Sequence, residues 1–204
     1  MLETRAARSM VVFKGPPTHN NLTVDAPDTI PYIISLHPSE WRRYAPCSAN
    51  PLHSFQILSD LHLEVAKRYS SFEILPSAPY LVLAGNIGLL TDYDSYLAFL
   101  ARQTQAIKKV FLVLGNHDFY GLSFTAGPEQ AQRLEIEPIL NGKLVLLHRK
   151  RFDIPDFSIS ILGCTLWSKI QDDAREVVQK KVADFKKITD WSIASHNAAY
   201  EAFL

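Results

Sequence analysis

Three short polar motifs each follow an apolar run. In FQILSDLH, Asp60 and His62 are separated by one residue at the end of the first run. In a loop this spacing points both side chains at one cation, and carboxylate oxygen with imidazole nitrogen suits Fe, Mn or Zn better than Ca. KVFLVLGNHD ends on Gly115, which permits a tight turn. Asn116 then offers a neutral carbonyl oxygen to a metal, and His117 is placed to give a proton to a leaving group. The middle run, LVLAGNIG, stops at an amide, Asn86. Alone, Asp-x-His reads more readily as a helix-capping acid beside an exposed histidine, and Gly-Asn-His as a turn. The conjunction of three ordered strand ends is what argues for one site.

The elements that must position these groups follow from the pattern around them. FQILSD, YLVLAG and KVFLVLG are nearly continuous in apolar residues, as expected of strands covered on both faces in a parallel sheet. Between the second and third, Tyr93, Tyr96, Leu97, Leu100, Ala101, Thr104 and Ile107 form one stripe at helical period, with Thr91 or Asp92 as N-cap. Strand, helix, strand is a crossover unit. PEQAQRLEIEPIL reads as a helix with Pro128 in its first turn. KLVLLH and FSISILGCTLW read as strands joined by RKRFDIPD as a hairpin-like connection. AREVVQKKVADFKKI reads as one mixed-charge helix with KKVADFKK on its solvated face, and a last helix begins near Ser192 or Ser195. The fold class is therefore α/β and layered. Ligands of open α/β sheets sit beyond the carboxyl ends of the strands, so Asp60, Asn86 and Asn116 should share one rim.

The bulk numbers exclude some partners. Lys plus Arg is 21 and Asp plus Glu is 21 in 204 residues, which argues against a binder that tracks nucleic-acid phosphates. No apolar run approaches the ~20 residues of a membrane helix. Two cysteines, Cys47 and Cys164, are too few for a disulfide framework, and Cys164 reads as a small buried hydrophobe. These features lead to an expectation of an intracellular, cytoplasmic protein. Residues 1–52 hold Pro16, Pro17, Pro27, Pro31, Pro38, Pro46 and Pro51. They read as a Pro-rich, poorly ordered N-terminal extension with TIPYIISL as one short strand or docking segment, ahead of a domain at 53–204.

SDLH, then Gly-Asn where Gly-Asp is usual, then GNHD resembles the calcineurin-like metallophosphoesterase superfamily. GCTLWS and ADFKKITDWSIASHN extend the likeness more loosely. The resemblance implies a βαβαβ core and two divalent metal ions (Mn, Fe or Zn). Asp60 and His62 would bind the first metal, residue 86 would bridge the two, and Asn116 would bind the second and touch phosphate. His117 would be the catalytic general acid. The implied reaction is hydrolysis of a phosphomonoester or phosphodiester by metal-bound hydroxide.

Two departures bear on that expectation. Asn86 brings one acceptor oxygen, no charge and two donors to a place where the family has a bridging carboxylate. The family's later Gly-His-x-His ligands have no counterpart up to Leu204. His148 and His196 read as structural or solvent-facing, and Trp167 as core more than substrate rim. Arg149, Lys150 and Arg151 read as a charged hairpin tip. The chain is accordingly expected to carry the N-terminal portion of such a domain, with an incomplete second sheet and an apolar sheet face that a protein partner would cover. A catalytically inactive relative serving as an interaction module, or a single-metal binding module, is the alternative.

Overall fold

The computed structural model describes residues 7–14, 32–33, 54–155 and 159–202. In chain order the strands are β1 (Ala7–Lys14), β2 (Tyr32–Ile33), β3 (Phe55–Leu58), β4 (Tyr80–Ala84), β5 (Lys109–Val113), β6 (Leu144–Leu146), β7 (Lys150–Asp153) and β8 (Ser160–Trp167). The helices are α1 (Tyr93–Ala106), α2 (Ala126–Glu135), α3 (Arg175–Lys181), α4 (Asp184–Lys187) and α5 (Ile193–Glu201). No described helix is long and apolar enough to cross a membrane.

Two sheets form. β3, β4, β5 and β6 make a parallel sheet in sequence order, and β2, β1, β8 and β7 make an antiparallel one. The continuous apolar runs of β4 and β5 are explained by their surroundings. Leu81, Leu83, Val110, Leu112 and Leu114 face a core that includes Tyr96, Phe99 and Leu100 of α1. Val82, Phe111 and Val113 face the second sheet, where they meet Val11 and Ile161. Burying each such side chain stabilises the fold by roughly 1.5–3 kcal/mol. The sheets approach closely at Gly163 of β8, where a Cβ would stand 2.7 Å from Leu147 Cβ and 2.8 Å from Val113 Cγ2.

Several expectations are refined. β1, from the Pro-rich N-terminal stretch, pairs with β8 along its whole length, Ala7 with Trp167 through Lys14 with Ser160. The second sheet therefore has four described strands, and its Val11 and Ile161 pack on Val82, Phe111 and Val113 of the first. Cys47 and the seven prolines lie outside the described residues. KRFD, expected within the hairpin-like connection, forms β7 itself and pairs with β8, and Phe152 packs edge-on to Phe111 at 5.3 Å. The expected single helix over 174–188 is two, α3 and α4, parted where Val182 turns extended (φ −82°, ψ 127°). α1 also buries Phe99, off the expected stripe, while Tyr93 and Leu97 are half-buried. Its N-cap is Asp92, whose carboxylate takes no capping bond and accepts from the Tyr69 hydroxyl at 3.0 Å. Ser192 caps α5 by accepting from Ser195 N at 3.1 Å.

Candidate functional site

The register that pairs Leu58 with Leu83 and Ala84 with Val113 brings the carboxyl ends of β3, β4 and β5 side by side. Each chain then turns sharply. Asp60 (φ 53°), His62 (φ 47°) and Asn86 (φ 54°) take left-handed backbone conformations, which cost non-glycine residues about 1 kcal/mol or more apiece. The turns are held in that shape by one another. Asp60 N donates to Gly85 O, His62 N to Asn86 O and Leu63 N to Ile87 O, all at 2.9–3.0 Å.

Asp118 ties the next turn to these. It is fully buried and accepts from Gly115 N at 2.7 Å, Asn86 N at 2.9 Å and the Tyr96 hydroxyl at 3.0 Å. Burial pushes its carboxyl up to about 7, against the pull of those three donors. Gly115 has no room for a side chain: a Cβ would lie 2.1 Å from Asn86 Oδ1 and 2.6 Å from Asn86 N.

On this base, Glu64 gathers two histidines. Its Oε1 lies 3.3 Å from His62 Nδ1 and 3.4 Å from His117 Nδ1. The two imidazoles meet edge to face with centroids 4.4 Å apart. Burial opposes the charge on Glu64, but the hydrogen bonds from His117 and His62 together outweigh it and hold its carboxyl at about 2. The same bond to Glu64 raises His62. Because Nδ1 of each ring is engaged by one carboxylate oxygen, Nε2 of each ring is the nitrogen left to act. His62 Nε2 stands 3.9 Å from Asp60 Oδ1.

Asp60, His62, Asn86 and His117 are thus linked by direct contacts. Asn86 Nδ2 donates to Asp60 Oδ1 at 3.0 Å, and Asn86 Oδ1 accepts from His117 N at 3.1 Å. Asn116 is joined less directly. Its Nδ2 donates to Asp184 Oδ1 at 2.7 Å and to the Tyr120 hydroxyl at 3.2 Å, and the Tyr120 ring lies 4.4 Å from that of His117. His148 and His196 stand apart. His196 is buried against Trp167, Phe185 and Trp191, and its Nε2 meets Ser168 O at 2.8 Å. Trp167 is buried in the same aromatic cluster and does not line the rim.

The donor set suits a divalent cation. One ligand atom from each of His62, Glu64 and His117 lies within 4.8 Å of the others, and Asp60 Oδ1 with His62 Nε2 forms a second opening. At the β4 end the Asn86 oxygen accepts from a backbone N–H and its Nδ2 donates to the Asp60 carboxylate, so the amide brings no charge between two cations. Three groups at this site escaped the motif reading: Glu64, Asp118 and Asp184. Glu64 continues the alternation Asp60, His62, Glu64, and Asp118 closes GNHD. Asp184 gave no local signal.

Parallel strands that end in a carboxylate, imidazole and amide rim, backed by a second sheet, make a layered α/β fold with a candidate metal-binding rim. Residues 53–191 match the family model for the calcineurin-like phosphoesterases, and the chain belongs to that family. It is 27% identical over 143 residues to the uncharacterized protein L509 of Acanthamoeba polyphaga mimivirus, with 64% of this chain and 50% of that protein covered. The chain therefore spans about half the length of this curated relative. Among solved structures it is similar to the phosphopantetheinyl hydrolase PptH from Mycobacterium tuberculosis. The identity there is 16% and the TM-score 0.41, over 73% of this chain and 62% of that one.

Proposed function

We propose that the chain is a single-cation phosphoesterase that acts on a phosphomonoester or phosphodiester. Family membership supports the reaction class. The observation that carries the single-cation reading is the orientation of Asn86, which turns hydrogens and not oxygen toward Asp60. Asp60 and His62, through Oδ1 and Nε2, together with the carbonyl oxygen of Asn116, are the direct ligands in this reading. Glu64 acts one shell out, fixing the His62 ring through Nδ1 as carboxylates do behind metal-bound histidines. The bound cation would supply Lewis-acid stabilisation of charge on the phosphoryl oxygens.

The chain's own residues supply the rest. Glu64 also holds His117 by Nδ1, so that Nε2 presents a proton to the leaving-group oxygen. Asn86 donates to Asp60 and keeps that carboxylate in place before the cation arrives.

The test combines equilibrium dialysis against Mn²⁺ with turnover of p-nitrophenyl phosphate and bis(p-nitrophenyl) phosphate. One bound equivalent with turnover of either ester, lost in His117→Ala with Mn²⁺ still bound, is the expected result. One equivalent without turnover favours an inactive binding module, for which the amide at position 86 is the specific observation. No bound metal and no turnover defeats the reading.

A further inference from the structure

We infer that Asp184, on the short helix α4, is a positioning residue that fixes which end of the Asn116 amide faces the site. This rests on the single-cation reading above and deepens it.

The hydrogen bonds leave one arrangement. A carboxylate offers acceptors only, and a phenol offers one hydrogen. The Tyr120 hydroxyl gives its hydrogen to Asp184 Oδ1 at 2.7 Å, so its oxygen is an acceptor toward Asn116. Asp184 Oδ1 and Tyr120 Oη therefore both demand donors from the amide, and Nδ2 meets them at 2.7 and 3.2 Å. A flipped amide would press its carbonyl oxygen against a carboxylate oxygen at hydrogen-bond distance. The two acceptors are themselves only 2.7 Å apart, so one amide hydrogen is shared between them, and the carbonyl oxygen is left on the side away from this buried pair. Asn116 thus meets a ligand as an acceptor. It suits a cation or a hydroxyl hydrogen.

Packing alone does not call for an acid at 184. Asp184 is 1% exposed, and its second oxygen, Oδ2, is buried without a hydrogen-bond partner among the described residues. A buried oxygen left so is a cost to folding. The helix is nonetheless strapped in place. Gly121 N donates to Lys187 O at 2.8 Å, Thr189 N to Leu122 O at 2.9 Å, and Lys187 Nζ stands 4.9 Å from the Tyr120 ring centroid. Phe185 rests on His196.

The test is calorimetric titration of the full chain with Mn²⁺, with melting in EDTA as the folding control. Asp184→Asn permits either amide orientation, and we expect about tenfold weaker Mn²⁺ binding, within the range for loss of an outer-shell partner. Exchanging the two groups, Asn116→Asp with Asp184→Asn, restores a donor facing an acceptor and should restore affinity. If Asp184→Asn does not fold, Tyr120→Phe removes one of the two acceptors and reads the same effect at smaller size. A metal-free readout is hydrogen exchange of the Asn116 side-chain amide by NMR, slow in the unaltered chain and fast in the single variants. Unchanged affinity and unchanged exchange in a folded variant overturn the inference and leave the single-cation reading standing. Failure of the unaltered chain to bind Mn²⁺ overturns both.

Discussion

Two asparagines close two adjacent strands, and they face opposite ways. At the end of β4, Asn86 Oδ1 accepts from the backbone N–H of His117 and its Nδ2 donates to Asp60. At the end of β5, Asn116 Nδ2 faces Asp184 and Tyr120, so its oxygen is turned the other way. The side chains are chemically identical, and their neighbours decide what each can hold. An acceptor-only partner beside the rim turns an amide into a donor toward the site, whereas an acceptor-only partner behind it turns the amide into an acceptor. Residue type at a motif position therefore does not fix a ligand's role. The partner on the far side of the amide does.

The broadest way to break this contrast is Gly115→Ala. Its Cβ would stand 2.1 Å from Asn86 Oδ1 and 2.6 Å from Asn86 N, so the β4 and β5 turns must separate. A loss of about 3 kcal/mol in unfolding free energy, read from urea midpoints, is expected for overpacking of this kind. A loss below ~1 kcal/mol would mean the two turns are not mutually fixed.

Asn86→Asp reverses one member of the pair. Without metal, two carboxylates would meet where a 3.0 Å hydrogen bond now stands, and the variant should melt lower in EDTA. With Mn²⁺ it should bind a second equivalent and turn over phosphoesters about 100-fold faster, about 2.7 kcal/mol of barrier. Unchanged stoichiometry would show that the β4 end is unsuited to metal for reasons beyond its amide.

Glu64→Gln separates a direct ligand from an outer one. If Glu64 acts through His62 and His117, the amide should weaken Mn²⁺ binding by about 30-fold and leave the stoichiometry at one. Complete loss of binding would move Glu64 into the coordination shell, with Asp60 outside it.

How much of this could be read from the chain depended on separation along it. Apolar runs fixed the order of β3, β4 and β5, and the carboxyl-end rule placed Asp60, Asn86 and Asn116 on one rim, because each sits within a few residues of a strand. The direction of the Asn86 amide was not legible, since it depends on His117 N, 31 residues on. Asp184 was hidden for the same reason, being 68 residues from Asn116. Its charged helix has the composition of a solvated face, and only the break at Val182 turns the acid inward. β1 lay in a stretch whose prolines obscured it, and its pairing with β8 spans most of the chain. Glu64 and Asp118 are different: both stood inside quoted motifs, and an alternation Asp60, His62, Glu64 was signal enough to include the third.

The smallest expected effect concerns the support beneath the Asn116 side alone. His196 is fully buried, and burial lowers its pKa despite the opposing bond to Ser168 O and the field of Asp184. A histidine depressed in the fold binds fewer protons there than in the unfolded chain. Its stabilisation is whole above the unfolded value of about 6.5 and is lost as pH falls through the folded one. Between pH 7 and pH 5.5 the loss should stay near 1 kcal/mol. Because His196 carries Phe185 of α4, the loosening should be local. Hydrogen exchange in EDTA should show residues 184–188 losing protection with falling pH before residues 60–63 and 86–87 do. His196→Gln keeps a donor for Ser168 O without the titrating ring and should flatten that trend, leaving the smaller slope from His148, whose pKa burial also lowers. Equal loss of protection at both strand ends would mean that α4 does not support the Asn116 side separately, and the contrast between the two amides would then lack its structural cause.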